Sequence, residues 1–185
     1  GAYDYVVSSQ SDFNVIIDRT AANQYRIKDN IKSIYVKYLA GGYQMTGATS
    51  PLQGGDAYGY IETNDCTRIV FEPEAFIDMA QSQGYLRVDT DDCYLDSVSI
   101  AGDKGGVSTA NRSFDLNANR VLFSNCKTYA RLVGGIAFHA FTGSTTAAHN
   151  DSSFYDHCHV YDIDGNGVGV TAFHDGKNIT NSFIY

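Results

Sequence analysis

Apolar and polar residues alternate along most of this chain in runs too short for helices. Leu86/Val88, Phe114/Leu116, Val121/Phe123 and Val168/Val170 are period-two pairs, and clusters of Asn, Asp, Gly and Ser that favour turns and left-handed corners break them apart. The pattern predicts strands of three to five residues separated by tight corners. The one helical pattern is Ser11 to about Ala21, with Ser11 or Ser9 as N-cap and Phe13, Ile16 and Ile17 on one face. Two alternating runs follow it, Tyr25 to Ile27 and Ile34 to Tyr38, which read as strands.

The short runs recur. Aligning the four cysteines gives Asn64-Asp65-Cys66, Asp91-Asp92-Cys93, Ser124-Asn125-Cys126 and Asp156-His157-Cys158, with Thr180-Asn181-Ser182 as a copy carrying Ser for Cys. The anchors are 27, 33, 32 and 24 residues apart. A second echo, Gly59-Tyr60-Ile61 and Gly84-Tyr85-Leu86, precedes the first two copies, and Gly42-Tyr43 is an earlier member. Units of this size built from short strands suit one coil of a parallel β-solenoid better than a sandwich, which would need tight Asn-Gly or Asp-Gly hairpins. A solenoid end exposes raw backbone and apolar side chains, so the helix reads as its cap. The expected organisation is a cap and first strands over residues 1–40, with coils over 41–185 that stop inside an alternating pattern, as a fragment of a longer chain would.

In such coils the recurring Cys is a small inward side chain stacked into a buried ladder, and Ser182 replaces it sterically. Disulfides between neighbouring coils are the alternative, against which stands the lack of a visible signal peptide. Cys-x-x-Cys spacing for zinc is absent, and no metal site is assigned to the cysteines. Asn64, Asp65, Asp91, Asp92, Asn125 and Asn181 read as turn residues whose side chains satisfy corner amides.

The chain has 185 residues, 14 Tyr, 10 Phe, no Trp and a formal net charge of −8. That acidity disfavours nucleic acid and anionic membrane surfaces as partners. The charge sits in the middle third: residues 51–103 carry Arg68 and Arg87 against eleven acids, a net −9. No stretch approaches the roughly 18 apolar residues of a membrane span.

A capping helix, irregular parallel coils, Asn-rich turns, an acidic balance and many Tyr together resemble the pectate-lyase-like right-handed β-helices, and within them the tailspike and tail-fibre proteins of bacteriophages. The stretch from Ser8-Ser9-Gln10-Ser11-Asp12-Phe13 through Tyr25-Arg26-Ile27 to Ile34-Tyr35 is similar to the start of such tail β-helices. The resemblance implies an all-β, right-handed parallel β-helix in a virion tail, made in the host cytoplasm. It also implies a parallel homotrimer beside other tail proteins, contacting bacterial surface polysaccharide and in many members cleaving it.

Cleavage would need two carboxyls, about 5 Å apart for retention or roughly 6.5–9.5 Å for inversion, one of them with a raised pKa. Neighbouring coils lie about 4.8 Å apart. The candidate catalytic residues are therefore drawn from Asp65, Asp91 and Asp92. Aligned on the Gly-Tyr echo, Glu62 faces Arg87, which serves as a charge-balancing or substrate-carboxylate partner. Plain binding needs flat aromatic faces ringed by hydrogen-bonding groups, and Tyr43, Tyr60 and Tyr85, at matching positions next to Gly, form an expected exposed ladder beside Glu62 and Arg87.

Asp162, Asp164 and Asn166 reproduce the first half of a calcium loop, D-x-D-x-N-G, but position 12 is Phe173 rather than Glu; calcium is the alternative there to a turn between coils, and no other cofactor is indicated. His157 and His159 flank Cys158 on one side of a strand. The polar stretch from Thr142 to Asn150 reads as a loop inserted in a coil, of the kind that lines a solenoid's binding face. Two main readings emerge. One is a non-catalytic structural and receptor-binding tail segment; the other is a polysaccharide depolymerase, a glycosidase or lyase.

Overall fold

The computed structural model describes residues 2–45, 59–79, 84–101, 111–130, 138–143, 152–162, 170–174 and 178–185. They form a right-handed parallel β-solenoid with three faces. The first face stacks Tyr5–Val7, Ser33–Val36, Arg68–Phe71, Tyr94–Asp96, Leu122–Ser124, Phe154–Asp156 and Ile179–Thr180. The second stacks Tyr43–Gln44, Ile77–Asp78, Ser99–Ala101, Lys127–Ala130, His159–Asp162 and Phe183–Ile184. The third stacks Ile17–Ala21, Gln24–Ile27, Tyr60–Glu62, Tyr85–Val88, Asn111–Leu116, Phe138–Thr142 and Val170–His174. Every pairing among the described strands is parallel except the opening hairpin, Ile17–Ala21 with Gln24–Ile27.

At two corners of each coil the backbone turns through the left-handed region. Between the third and first faces the residues with positive φ are Asn30, Asn64, Asp92, Arg120, Ser152 and Asn178; between the first and second they are Glu74, Ser97, Asn125, His157 and Asn181. Asn and Asp recur there because their short polar side chains tolerate this conformation and bond nearby backbone. Asn64 Nδ2 donates to the Ile27 carbonyl of the preceding coil at 3.0 Å, and Asn178 Nδ2 donates to that of Ser153 at 2.9 Å. The connections from second to third face, 46–58, 80–83, 102–110, 131–137 and 163–169, differ in length. They lie outside the described residues, as do Asp164, Asn166 and residues 144–150 of the expected loop.

The cysteine alignment needs correction. Lys127 pairs with His159 and His159 with Phe183, so Cys126, Cys158 and Ser182 do share one position, and Val98 holds it in the coil before. Cys66 and Cys93, however, precede strands of the first face and sit at the other corner, where Cys93 matches Val121. Both corners set a positive-φ Asn, Asp or His one or two residues before a small side chain, which made two corners look like one ladder. All four thiols are buried and free, so the reduced inward role holds.

The helix is shorter than its periodicity suggests. It spans Gln10–Val15, with Ser9 as N-cap accepting the Asp12 amide at 3.1 Å. Ile17 already belongs to a strand opposite Ile27. A β-branched run followed by the Asn23 turn (φ 61°) favours a hairpin, while Phe13, Ile16 and Ile17 stay buried as the helical pattern required. Phe13 packs against Tyr43 with ring centroids 5.5 Å apart, closing that end of the interior.

Inside, side chains stack coil upon coil. Tyr25, Ile61, Leu86, Phe114, Phe141 and Phe173 follow one another on the third face; Ile34, Ile69, Leu95, Phe123 and Tyr155 do so on the first. The stacks turn from largely aliphatic to aromatic along the axis. Phe114 lies parallel to Phe141 at 4.8 Å and Phe141 to Phe173 at 5.1 Å, while Phe123 meets Phe114 and Phe141 edge-on from the opposite wall. Parallel stacking within a wall and edge-to-face contact between walls are both favoured by the ring quadrupoles.

Candidate functional site

Three outward constellations hold the chemistry of the described surface. On the third face, Glu62 and Arg87 are register neighbours as the Gly-Tyr echo requires, with Arg87 Nη1 3.9 Å from Glu62 Oε1. Tyr60 and Tyr85 stack at 5.4 Å. Two residues that sequence reasoning missed complete the group. Asp115, in register with Arg87 one coil on, accepts Arg87 Nε–H at 3.0 Å and Arg112 Nη1–H at 3.0 Å. Arg87 also lies over the Tyr60 ring and Arg112 over that of Tyr85, so guanidinium groups cover the tyrosine faces. Burial and the nearby Asp89 carboxylate hold the Glu62 carboxyl above its usual value, against the opposing pull of Arg87 and Arg26.

Asp65, Asp91 and Asp92 lie at the corner between the third and first faces. Asp65 pairs with Lys32 at 3.5 Å. Arg120, on the next coil, bridges the other two, with Nη2 3.2 Å from Asp91 and Nε 2.6 Å from Asp92, and Asp91 also accepts the Asn119 amide at 2.8 Å. The hydrogen bond from Arg120 pulls the Asp92 carboxyl down, the opposite of what a general acid requires. Of the three, Asp92 is a positive-φ corner residue, as its turn reading expects.

Tyr43 does not join Tyr60 and Tyr85. It belongs to the second face, is fully buried, and donates its hydroxyl to the Lys37 carbonyl at 2.6 Å. The local Gly-Tyr signature is the same, but here the tyrosine is the first inward residue beneath the cap. His157 is a corner residue beside Asp156, whereas His159 stands on a strand among Tyr161, Phe183 and Tyr185. Among the described residues no group of His, Cys, Asp and Glu is arranged to hold a metal ion; Asp164 and Asn166 of the candidate calcium loop are not among them.

The second face carries the constellation that remains open. Tyr129, Tyr161 and Tyr185 occupy one register position on successive coils and stack at 5.1 and 4.9 Å with rings within 18° and 8° of parallel. Each is the third residue after its corner Cys or Ser, so the signal lay within the repeat, in Cys126-Lys-Thr-Tyr, Cys158-His-Val-Tyr and Ser182-Phe-Ile-Tyr. One coil earlier the same position is Ala101, with Ser99 two before it, both buried, and on the coil before that it is Asp78. Among the described residues, Ala75 and Phe76 on the coil before, Ser99 and Ala101 on this strand, and Lys127 and Tyr129 on the coil after line a trough of about 640 Å³. Tyr38, Pro73 and Glu74 form its rim. Gly42 helps to seat Phe76: its φ is +75°, and a Cβ there would fall 2.5 Å from the Phe76 ring. Burial, followed by the charges of Tyr161 and Glu74, keeps the Tyr129 hydroxyl protonated above its usual range.

This arrangement offers a flat aromatic face, a carboxylate that accepts and an ammonium that donates, around an apolar floor. No protein-family model, curated protein or solved structure matches the chain.

Proposed function

We propose that this chain is a module of a bacteriophage tail, a tailspike or tail-fibre β-helix that contacts host-surface polysaccharide along its second face. The observation that carries this reading is the outward tyrosine ladder Tyr129–Tyr161–Tyr185, which ends beside a trough that Glu74 and Lys127 line among the described residues. Polysaccharides are long, amphipathic and built on a repeat similar to the coil spacing, so a ladder parallel to the axis offers successive contacts. A homotrimer is the assembly expected of such a module; sedimentation of the chain as a trimer supports it, and a monomer at high concentration opposes it.

The test is incubation with bacterial capsules and lipopolysaccharides, reading both binding and release of oligosaccharides by mass spectrometry. Binding without release is the expected outcome, and absence of binding to any of them overturns the proposal. Release of defined oligomers replaces it with a second reading, a depolymerase. That reading is favoured by the raised carboxyl of Glu62, separated from the buried Asp115 carboxylate by Arg87.

A further inference from the structure

The outward surface of the first face carries an apolar stripe. Val6, Tyr35 and Val70 are register neighbours in one column of it, and Tyr94, Leu122 and Phe154 continue the line on the next three coils, in the column two residues earlier along each strand. Val6, Leu122 and Phe154 are 45, 36 and 46% exposed, whereas their inward neighbours Val7, Phe123 and Tyr155 are fully buried. Six rungs at about 4.8 Å per coil carry the stripe about 24 Å along the axis. Charge flanks it on one side: where the apolar line leaves its first column, Asp96 and Asp156 take over that column beside Tyr94 and Phe154, in register with Ser124 between them. Asp96 accepts hydrogen bonds from Ser97 and Asn125, and Asp156 from Thr180 and Asn181. Arg68 stands beside Val70 on the opposite side, its guanidinium 4.6 Å over the Tyr3 ring.

We propose that this stripe docks an amphipathic α-helix of a partner protein, laid along the solenoid axis with Lys or Arg on the edge that meets Asp96 and Asp156. The spacing selects a helix. An apolar seam at alternating three- and four-residue intervals presents a side chain about every 5.3 Å, near the 4.8 Å step of the coils, whereas the same-face residues of an extended strand recur about every 6.8 Å and fall out of step within two rungs. Asp96 and Asp156 are two coils apart, about 9.6 Å, which two helix residues seven apart, at about 10.5 Å, can meet together. The basic edge follows from charge complementarity with the two carboxylates. A second copy of this chain fits less well, because its net charge of −8 sets acid against acid and its one described helix, Gln10–Val15, has six residues and an acidic first turn. The docking face is separate from the second face, so the proposal stands apart from the glycan-contacting reading.

The experiment selects binders to the intact chain from two displayed peptide libraries, one with Leu at alternating three- and four-residue intervals and one with Leu at every second position, both with Lys, Glu, Gln or Ser at the flanking positions. Recovered peptides are then measured by fluorescence anisotropy. The helical library should yield binders with Lys about seven residues apart on one edge. Leu122→Ser and Phe154→Ser, each at an outward position and checked for an unchanged thermal midpoint, should weaken those binders roughly 10-fold, and Asp96→Asn roughly 3-fold. Added salt should weaken them as well. Failure of the helical library to yield any binder overturns the proposal, as do binders that hold both Ser variants as tightly as the parent. Enrichment of Glu on the flanks overturns the basic edge, and better recovery from the alternating library overturns the helix. Sedimentation showing self-association of the parent that Leu122→Lys abolishes would assign the face to a second copy instead.

Discussion

The Arg87 guanidinium lies 4.2 Å above the ring of Tyr60 and is held there by the Asp115 carboxylate on the following coil. Three coils are thereby tied together from outside, since Tyr60, Arg87 and Asp115 belong to successive strands of the third face.

Asp115 is the hub of that tie, because it is nearly buried and receives both Arg87 and Arg112. Asp115→Ala leaves two guanidinium groups without their shared acceptor, and a loss of about 3 kcal/mol is expected. Asp115→Asn, which keeps one acceptor oxygen, should lose less. Urea unfolding of both variants checks the order, and a neutral Asp115→Ala would show that the arginines are adequately solvated without it.

Interior stacking should dominate the stability of the later coils. Phe141 is fully buried between Phe114 and Phe173 and meets Tyr155 edge-on. Phe141→Ala should cost about 3–5 kcal/mol, and Phe141→Leu distinctly less, because the leucine refills part of the cavity. Thermal unfolding of the two variants measures the difference.

Acid should loosen the last corner. Asp156 accepts hydrogen bonds from Asn181, Thr180 and His157, which pull its carboxyl from 3.8 down to about 2. A carboxyl depressed by folding stabilises above its unfolded value and loses that contribution as pH falls toward its folded one. The thermal midpoint should thus fall more steeply between about pH 4 and 2 in the parent than in Asp156→Ala. Parallel slopes in the two proteins would refute the assignment.

The thiols should be chemically silent. Burial pushes Cys66 up to about 12 and also raises Cys93 and Cys126, with the Cys158 thiol adding to the effect at Cys126. At about pH 8 a thiol reagent such as Ellman's should leave the folded protein unmodified, then titrate four thiols once it is unfolded. Rapid reaction of any thiol in the native state would place it at the surface.

Features set by neighbouring residues were legible in the chain. Leu86/Val88 and Phe114/Leu116 alternate and are buried strand pairs; Asn64, Asp92, Asn125 and Asn181 read as corners and have positive φ. The Gly-Tyr echo even gave the Glu62–Arg87 register, since it marks one point on two adjacent coils. Where one local signature serves two places, legibility failed. Cys93 and Cys126 sit at different corners behind the same turn grammar, and Tyr43 shares the Gly-Tyr pattern with Tyr60 while standing on another face.

The sequence alone determined that this protein coils. Period-two burial and left-handed turn residues are properties of a few consecutive residues, and they leave little else for the backbone to do. Which side chains meet was decided only by the tertiary structure, because contacts in a solenoid join residues one coil apart through ladders whose register depends on every connection between them. Tyr129, Tyr161 and Tyr185 become a ladder only when those coils are closed and stacked.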